Sequence, residues 1–156
     1  MPPLVLPMLL ALLANPALAG EKALAASALP AAIQTAVAAG YPSATIVEAS
    51  TEVEEGVTTY EVGIKLGDRS VDLAYKADGT QLEEEEIVAL ASVPRPAQAT
   101  VATYTGWTVK RVERATANGV TTYEVLMVQG KKRMELFLDE AGVIKSKERS
   151  AHDDEQ

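Results

Sequence analysis

The chain has 156 residues, no cysteine and a formal net charge of −8, and 47% of its residues are hydrophobic. This length and composition fit one ordinary domain or two small ones with a packed core. The acidic charge argues against binding to nucleic acid or to an anionic membrane surface, because both repel it. The lack of cysteine excludes disulfides, thiolate metal sites and a thiol nucleophile.

An export signal is predicted as the first element. Residues 4–13 are almost wholly apolar, and the Ala-Leu-Ala sequence at 17–19 supplies the small residues that signal peptidase requires. We therefore expect residues 1–19 to be a signal peptide, 20–28 to be a linker, and the mature protein to be periplasmic or secreted. No basic residue precedes the apolar run, so either the natural start lies upstream or the signal is weak. The alternative is a hydrophobic helix that stays in the protein.

The remaining chain contains an internal repeat. The sequence GVTTYEV occurs at 56–62 and again at 119–125, an offset of 63 residues. Because seven consecutive identities are very improbable by chance, we interpret 29–91 and 93–149 as two copies of one module. Residues 150–156 then form a short polar tail that is expected to be disordered.

Each copy is predicted to begin with a helix and to continue with four strands. The helices start at Pro30 and Pro94, because proline is well tolerated in a first helical turn. The strands have apolar residues at every second position, which is the period of a half-buried strand. Gly56 and Gly119 mark the turn between the first two strands of each copy.

A second hairpin in each copy has a predicted register. With turns at residues 67–68 and 130–131, the apolar side chains of the paired strands all fall on one face, as a real hairpin requires. The predicted pairs are Ile64 with Val71, Val62 with Leu73 and Tyr60 with Tyr75 in copy one, and Met127 with Met134, Val125 with Leu136 and Tyr123 with Leu138 in copy two.

The predicted fold class is α+β: two tandem αββββ modules whose antiparallel sheets each have a helix packed on one face. Connections between the elements are short throughout, as compact domains prefer. The pattern leaves open whether the two sheets join into one extended antiparallel sheet with the helices on one side.

These motifs resemble those of the PepSY-like domains of bacterial envelope and secreted proteins. The shared pattern is Leu-Pro or Val-Pro at 29–30 and 93–94, a short helix, Gly-x-x-x-Tyr-Glu-Val, and a strand ending in Asp-Gly at 78–79. The tandem arrangement of a helix and four strands also resembles the architecture of beta-lactamase inhibitory proteins. PepSY-like domains are linked to propeptides and to proposed peptidase inhibition. The resemblance therefore implies a binding or inhibitory role, and it transfers no catalytic residue.

No catalytic constellation is found, and we expect no enzyme activity, no cofactor and no metal. The single histidine, His152, lies in the acidic tail, so no second histidine is available as a base. The four glutamates at 83–86 invite a cation site. However, alternate carboxylates on a strand point to opposite faces, and calcium needs six to eight oxygens. We interpret this run as a solvated edge strand protected by its charge.

Copy two differs from copy one at outward positions of the predicted sheet. The residues at four such positions change from Ala44, Gly63, Lys65 and Ala74 in copy one to Trp107, Leu126, Val128 and Phe137 in copy two. We predict that these four residues form an apolar outer face, which soluble proteins seldom expose without a use. The alternative is that this face packs against copy one or is covered by the helix.

The two copies also differ in charge. Residues 20–92 contain 13 acidic and 4 basic side chains, whereas residues 93–149 contain 6 acidic and 10 basic ones. Lys131, Lys132 and Arg133 cluster at a turn. This polarity favours contact between the copies, within a chain or between chains, or an acidic partner at copy two. The alternative is ordinary surface composition.

Together these features predict a non-catalytic exported module that binds a protein or peptide, such as a protease that it would inhibit. Two alternatives remain open. One is a structural envelope protein that self-associates through the same patch, and the other is weak binding of a cation or small ligand by the acidic first module. The predicted contact residues are Trp107, Leu126, Val128, Phe137, Lys131, Lys132 and Arg133.

Overall fold

The computed structural model describes residues 21–151, which form one antiparallel sheet of nine strands with two short α-helices. The strands lie in the sheet in chain order, so each strand pairs with the strand before it and the strand after it. The strands are β1 (Lys22–Ala23), β2 (Thr45–Glu54), β3 (Val57–Leu66), β4 (Arg69–Tyr75), β5 (Gln81–Ile87), β6 (Thr108–Ala117), β7 (Val120–Gln129), β8 (Lys132–Asp139) and β9 (Ile144–Ala151). The helices are α1 (Ala31–Gly40) and α2 (Arg95–Ala102), and a single 3₁₀ turn precedes each of them, at Ala26–Ala28 and Leu90–Ser92.

The predicted fold class, two αββββ modules with a sheet each, is wrong. The described chain is mostly β, and its strands form a single sheet because β5 pairs with β6 from Glu83↔Ala117 to Ile87↔Glu113. Two separate sheets would leave β5 and β6 as edge strands with unpaired N–H and C=O groups. Pairing them with each other removes both edges.

This pairing also overturns the edge-strand interpretation of residues 83–86. Strand β5 is the fifth of nine, and Glu85 and Glu86 are only 7% and 8% exposed. The expected alternation does occur: Glu83 and Glu85 point to one face of the sheet, and Glu84 and Glu86 point to the other. The charges are therefore inside the sheet rather than along a solvated edge.

Both predicted hairpin registers are confirmed. All six predicted cross-strand pairs occur, three between β3 and β4 and three between β7 and β8. The turn before each of these hairpins also has the geometry of a two-residue loop, which requires positive φ at both central residues. In copy two, φ is 52° at Asn118 and 74° at Gly119.

Both helices pack on the same side of the sheet. Ile33 and Val37 of α1 lie in one core cluster with apolar residues of β3 and β4. Ala97 and Val101 of α2 lie in a second cluster with residues of β6, β7 and β8. Strand pairing places Val71, Glu86, Arg114 and Tyr123 side by side in one row across β4, β5, β6 and β7. Val71 belongs to the first cluster and Tyr123 to the second, so both clusters lie on the same side of the sheet. We call this side of the sheet the helix side and the other the open face.

A cluster of ion pairs joins the two cores on the helix side. The guanidinium of Arg69 contacts both carboxylate oxygens of Glu86, at 2.6 and 2.8 Å. Arg114 reaches the same carboxylate at 2.7 Å and Glu84 at 3.5 Å. The hydroxyl of Tyr41 donates to Glu84, and burial raises the pKa of that tyrosine. Every glutamate that β5 presents to the helix side therefore has a partner.

Some sequence predictions fall at or beyond the ends of the described chain. Residues 1–19, predicted as a signal peptide, lie outside the described residues, as do residues 152–156 of the predicted tail with His152. Strand β1 and a 3₁₀ turn lie in the predicted linker, and β9 includes the first two tail residues, Ser150 and Ala151. Between residues 21 and 151 there is no helix with the length and hydropathy needed to cross a membrane.

Candidate binding face of the sheet

The open face consists of the side chains on β2–β9 that point away from α1 and α2. In the described part of the chain, both α-helices pack on the helix side and all strands belong to the one sheet, so neither a helix nor a second sheet covers the open face. This face is therefore the largest surface on which the sheet can present side chains to another molecule.

Four carboxylates form what we call the acidic patch, on the open face of β3, β4 and β5: Glu61, Asp72, Glu83 and Glu85. Strand pairing places Asp72 opposite Glu85, and it places Ala74 between Glu61 and Glu83. Adjacent strands lie about 4.8 Å apart, so these carboxylates are close neighbours.

Burial and mutual repulsion disfavour the ionised form of these groups. The pKa of Glu85 is raised to about 8 and that of Glu61 to about 7, in both cases by burial first and by neighbouring carboxylates second. Burial also raises the pKa values of Glu83 and Asp72. Glu61 and Glu85 are therefore close to their protonation equilibrium at neutral pH.

Two carboxylates of the acidic patch each have one oxygen atom that is buried without a hydrogen-bond partner. The Oε1 atoms of Glu83 and Glu85 are enclosed and accept no hydrogen bond, and Glu85 is only 7% exposed. Within residues 21–151, no lysine or arginine forms an ion pair with any of the four carboxylates. A buried acceptor without a partner costs about 1–3 kcal/mol.

A small notch adjoins the acidic patch over Gly63 of β3. The notch holds about 10 Å³, which is room for about one water molecule. Gly63 is buried at its floor, where an added Cβ would come within 3.3 Å of Asp72 Oδ1. The polar side chains that line the notch are Glu21, Glu48, Ser50, Glu61 and Asp72.

Toward copy two, arginines form ion pairs with carboxylates of the open face, although Glu113 Oε2 and both carboxylate oxygens of Glu124 are also buried without a hydrogen-bond partner. The guanidinium of Arg111 lies 3.1 Å from Glu113 and 3.8 Å from Glu124. Arg133 Nε donates to Glu135 Oε1 at 3.0 Å. Glu124 is only 4% exposed, and burial raises its pKa to about 7. These two arginines form ion pairs with carboxylates of the open face, which no lysine or arginine does for the acidic patch among the described residues.

Three hydrophobic side chains form what we call the apolar patch, on the open face of β7 and β8: Leu126, Val128 and Phe137. Phe137 lies opposite Glu124 and diagonal to Leu126, as the predicted register requires. All three side chains are half-buried. Ile87 adds an aliphatic side chain to the open face at the end of β5, and it is 62% exposed.

The other predicted contact residues are dispersed. Trp107 is half-buried on the helix side, where it packs against the core beneath α2. Arg133 lies on the open face opposite Val128, whereas Lys132 precedes it and points to the helix side. Lys131 is exposed in the turn. The structure therefore brings Leu126, Val128, Phe137 and Arg133 together and separates Trp107 and Lys132 from them.

The acidic patch was not predicted from the sequence, although one signal for it was present. The predicted hairpin register already places Glu61 and Asp72 on the side opposite the core. The register of β4 with β5 places Glu85 beside Asp72, whereas the pairing of β5 with β6 gives β5 a central position that its charges did not indicate. The burial of Glu85 follows from this central position.

Between residues 21 and 151, no three histidine, aspartate or glutamate side chains are arranged so that they could hold a metal ion. The carboxylates of the acidic patch are spread over three strands instead of converging on one point. This spacing suits several separate positive charges better than one metal ion, which needs its oxygens in a tight shell.

Solved structures with the same fold include several bacterial proteins. A BLIP-like protein from Bacteroides fragilis matches with a TM-score of 0.62 and 23% identity, over 80% of this chain and 89% of that one. A DUF2874 family protein from Bacteroides uniformis matches with a TM-score of 0.67 and 15% identity, over 80% and 91% of the two chains. A protein from Bacteroides eggerthii, provisionally described as periplasmic, matches with a TM-score of 0.65 and 12% identity, over 80% and 92%.

These likenesses are to the fold, and they agree with the BLIP-like architecture expected from the sequence. The sequence matches no protein-family model and no curated protein. The chain therefore has the fold of these BLIP-like and DUF2874 proteins.

The acidic patch makes the stability of the protein depend on pH in a defined direction. Glu85 and Glu61 have folded-state pKa values of about 8 and 7, above the ordinary value of 4.5. Between pH 4.5 and 8 the folded state therefore binds more protons than the unfolded state, so stability falls as pH rises. We expect urea denaturation to give a larger free energy of unfolding at pH 6 than at pH 8.5.

Glu85→Gln should remove much of this dependence and stabilise the protein at pH 8.5 by about 1–2 kcal/mol. Glu148→Gln, at an exposed position on the same face of β9, is the matched control and should change little. Stability that rises with pH over this range, or a destabilising effect of Glu85→Gln at pH 8.5, would contradict the raised pKa values of Glu85 and Glu61.

Proposed function

We propose that this protein is a non-catalytic, exported binding module that holds a protein or peptide partner on the open face of its sheet. The observation that carries the proposal is the contrast between the two sides of the sheet. Both helices cover the helix side, while the open face presents the apolar patch and the acidic patch without a covering layer in the described chain.

The apolar patch supports a macromolecular partner. Leu126, Val128 and Phe137 are hydrophobic, yet they lie on the open face and belong to neither core cluster on the helix side. Aromatic side chains such as that of Phe137 are enriched in protein interfaces, and the centre of an interface is more apolar than its rim. Because these three side chains project from β7 and β8, which are each paired on both sides, little conformational entropy is lost when a partner covers them.

The comparisons add support for the same kind of role. The BLIP-like protein has the same fold over most of both chains, and another protein with this fold is provisionally described as periplasmic. The PepSY-like resemblance of the sequence suggests a peptidase or its peptide substrate as the partner. An inhibitory module of this kind needs no catalytic residue of its own, which agrees with the absence of a catalytic constellation in the sequence.

A photo-crosslinker placed on either face of β9 tests the proposal. Ser146 lies opposite Phe137 on the open face, and the next residue, Lys147, lies opposite Leu136 on the helix side. With benzoylphenylalanine at each position in cells that export the full chain, we expect a specific partner crosslink from position 146 and none from position 147.

Adding Phe137→Ala to the position 146 chain should reduce the crosslink about tenfold, since truncating a central aromatic contact commonly costs more than 1 kcal/mol. Val143→Ala, at a 52% exposed apolar position in a turn, is the matched control and should leave the yield unchanged. Equal crosslinking from both faces, or no crosslink from either, would reject open-face binding.

Self-association is a second candidate function, favoured by the opposite charges of the two halves. The acidic patch lies in the first half, and ten basic side chains lie in residues 93–149. Opposite charges on one chain can steer two copies together, and salt weakens this attraction. Light scattering of the purified protein should then show a dimer at low salt that dissociates at high salt. A monomer at all salt concentrations would exclude self-association.

A further inference from the structure

We propose that the acidic patch receives lysine side chains of a partner protein or peptide. This inference rests on the proposed function and names the chemistry of the partner at one part of the open face. It assigns the acidic patch, Glu61, Asp72, Glu83 and Glu85, to recognition of primary ammonium groups, and it leaves the apolar patch to contact the rest of the partner.

The acidic patch lacks a counter-charge among the described residues. Glu85 is 7% exposed, and its Oε1 atom accepts no hydrogen bond. The Oε1 atom of Glu83 is also buried without a hydrogen-bond donor. An ammonium group that reached these atoms would supply the missing donors and reduce the repulsion between the carboxylates. Hydrogen bonds that join two charged groups are about twice as strong as neutral ones.

The two sides of β5 differ in how their carboxylates are compensated. On the helix side, Glu86 contacts both Arg69 and Arg114, so the chain supplies cations of its own. On the open face, Glu83 and Glu85 lie in the same strand and have no such partner among the described residues. The chain therefore compensates only those β5 carboxylates that face its own interior.

Two basic side chains on the open face near the acidic patch are already engaged. Lys65, on the open face of β3, donates to Ser70 Oγ at 2.6 Å. Arg111 lies in an ion pair with Glu113 on β6. Neither side chain forms an ion pair with Asp72 or Glu85, so within residues 21–151 the positive charge that would complete the patch is absent.

The size of the notch favours a compact cation. The notch beside Glu61 and Asp72 holds about 10 Å³, which suits a group the size of one water molecule. A lysine ammonium is a compact point charge with three donors, whereas a guanidinium is a wide planar group. A metal ion is a poor alternative, because no three carboxylates between residues 21 and 151 are arranged to hold one. Lysine fits this site better than arginine or calcium.

The test uses a defined peptide and matched variants of the full chain. The probe is an octapeptide of alternating lysine and serine with blocked ends, and its binding is measured by fluorescence anisotropy at pH 8. Asp72→Asn/Glu85→Gln should weaken binding at least tenfold. Asp68→Asn/Glu140→Gln removes the same two charges from exposed turns and should change the affinity less than twofold. Urea denaturation confirms that each variant folds.

Two further peptides test the chemistry of the contact. Acetylation of the lysines removes their charge and should abolish binding, and replacing lysine by arginine should weaken it. The proposal would be overturned if the acetylated peptide bound as tightly as the lysine peptide, or if the arginine peptide bound as tightly or more tightly. It would also be overturned if the two double variants lost the same amount of affinity. Formation of a dimer that only the Asp72→Asn/Glu85→Gln variant prevents would also overturn it, since the lysines would then belong to a second copy.

The pH dependence of binding is an independent readout. Glu85 is faced by Asp72 on β4, Glu61 on β3, Glu83 on β5 and Glu113 on β6, so binding of an ammonium group must draw protons from this group of carboxyls. Affinity for the lysine peptide should therefore increase at least threefold from pH 6 to pH 8.5, with release of protons. A flat profile would overturn the assignment to Glu85. If the peptide fails while crosslinks from position 146 persist, only this inference is wrong and open-face binding stands.

Discussion

Glu86→Gln is expected to lower the free energy of unfolding by about 3 kcal/mol at pH 7. Glu86 is 8% exposed, and its carboxylate holds Arg69 and Arg114 between the two cores. Removing one partner from a buried ion pair commonly costs 3–5 kcal/mol. We place the loss at the low end of that range because Arg69 is half exposed and can recover part of its hydration.

The effect of Glu86→Gln should also depend on pH. The hydrogen bond from Arg69 holds the pKa of Glu86 below its ordinary value, so its contribution is present above that ordinary value and is lost as pH falls through the folded pKa. Urea denaturation should therefore show the full loss at pH 7 and a smaller one below pH 4. Glu148→Gln on exposed β9 is the control. A loss below 1 kcal/mol at pH 7 would mean that the ion-pair cluster does not hold the two halves together.

Gly142→Ala is expected to destabilise the protein by a similar amount, about 3 kcal/mol. Gly142 has φ of 77° in the turn before β9, and an alanine in this left-handed region costs roughly 1–2 kcal/mol. A Cβ at this position would also overlap the Pro96 carbonyl oxygen of α2 and lie 2.9 Å from Thr100 Oγ1. Overpacking of this kind typically costs a further 1–3 kcal/mol.

Gly130→Ala separates these two contributions. Gly130 also has positive φ, 58°, but nothing lies within 4 Å of the Cβ that an alanine would add. We expect Gly130→Ala to cost only the backbone term, about 1 kcal/mol, by thermal or urea denaturation. Equal losses in the two variants would show that contact between the turn and α2 does not contribute to stability. Gly79 occupies the corresponding position in copy one, where an added Cβ would lie 2.8 Å from the Ala32 carbonyl oxygen.

The local elements of this fold follow from short-range patterns. The duplicated GVTTYEV segment, the Pro-initiated helices and the apolar alternation predict the order of helix and strands within each copy. The hairpin registers around residues 67–68 and 130–131 were also predictable, because a one-residue slip would move every apolar side chain to the wrong face. These features need only the residues that lie next to one another in sequence or across a tight turn.

The role of residues 83–86 was not predictable in this way. Their sequence is that of a charged edge strand, and only the pairing of β5 with β6 turns it into the centre of a sheet. Side-chain alternation divides the four glutamates between the two faces, and the pairing with β6 places Arg114 beside Glu86 on the helix side. Trp107 is a second example, because its position before β6 did not indicate that it would pack beneath α2.

The sequence by itself determined the repeat, the elements of each copy and the register of their hairpins, because these depend on local periodicity and turn chemistry. Only the tertiary structure decided that nine strands form one sheet, that both helices lie on the same side, and that Asp72 and Glu85 meet on the uncovered face. The physical reason is that strand edges join and charges become buried through contacts between distant parts of the chain. No local pattern of residues encodes which distant edge a strand will pair with.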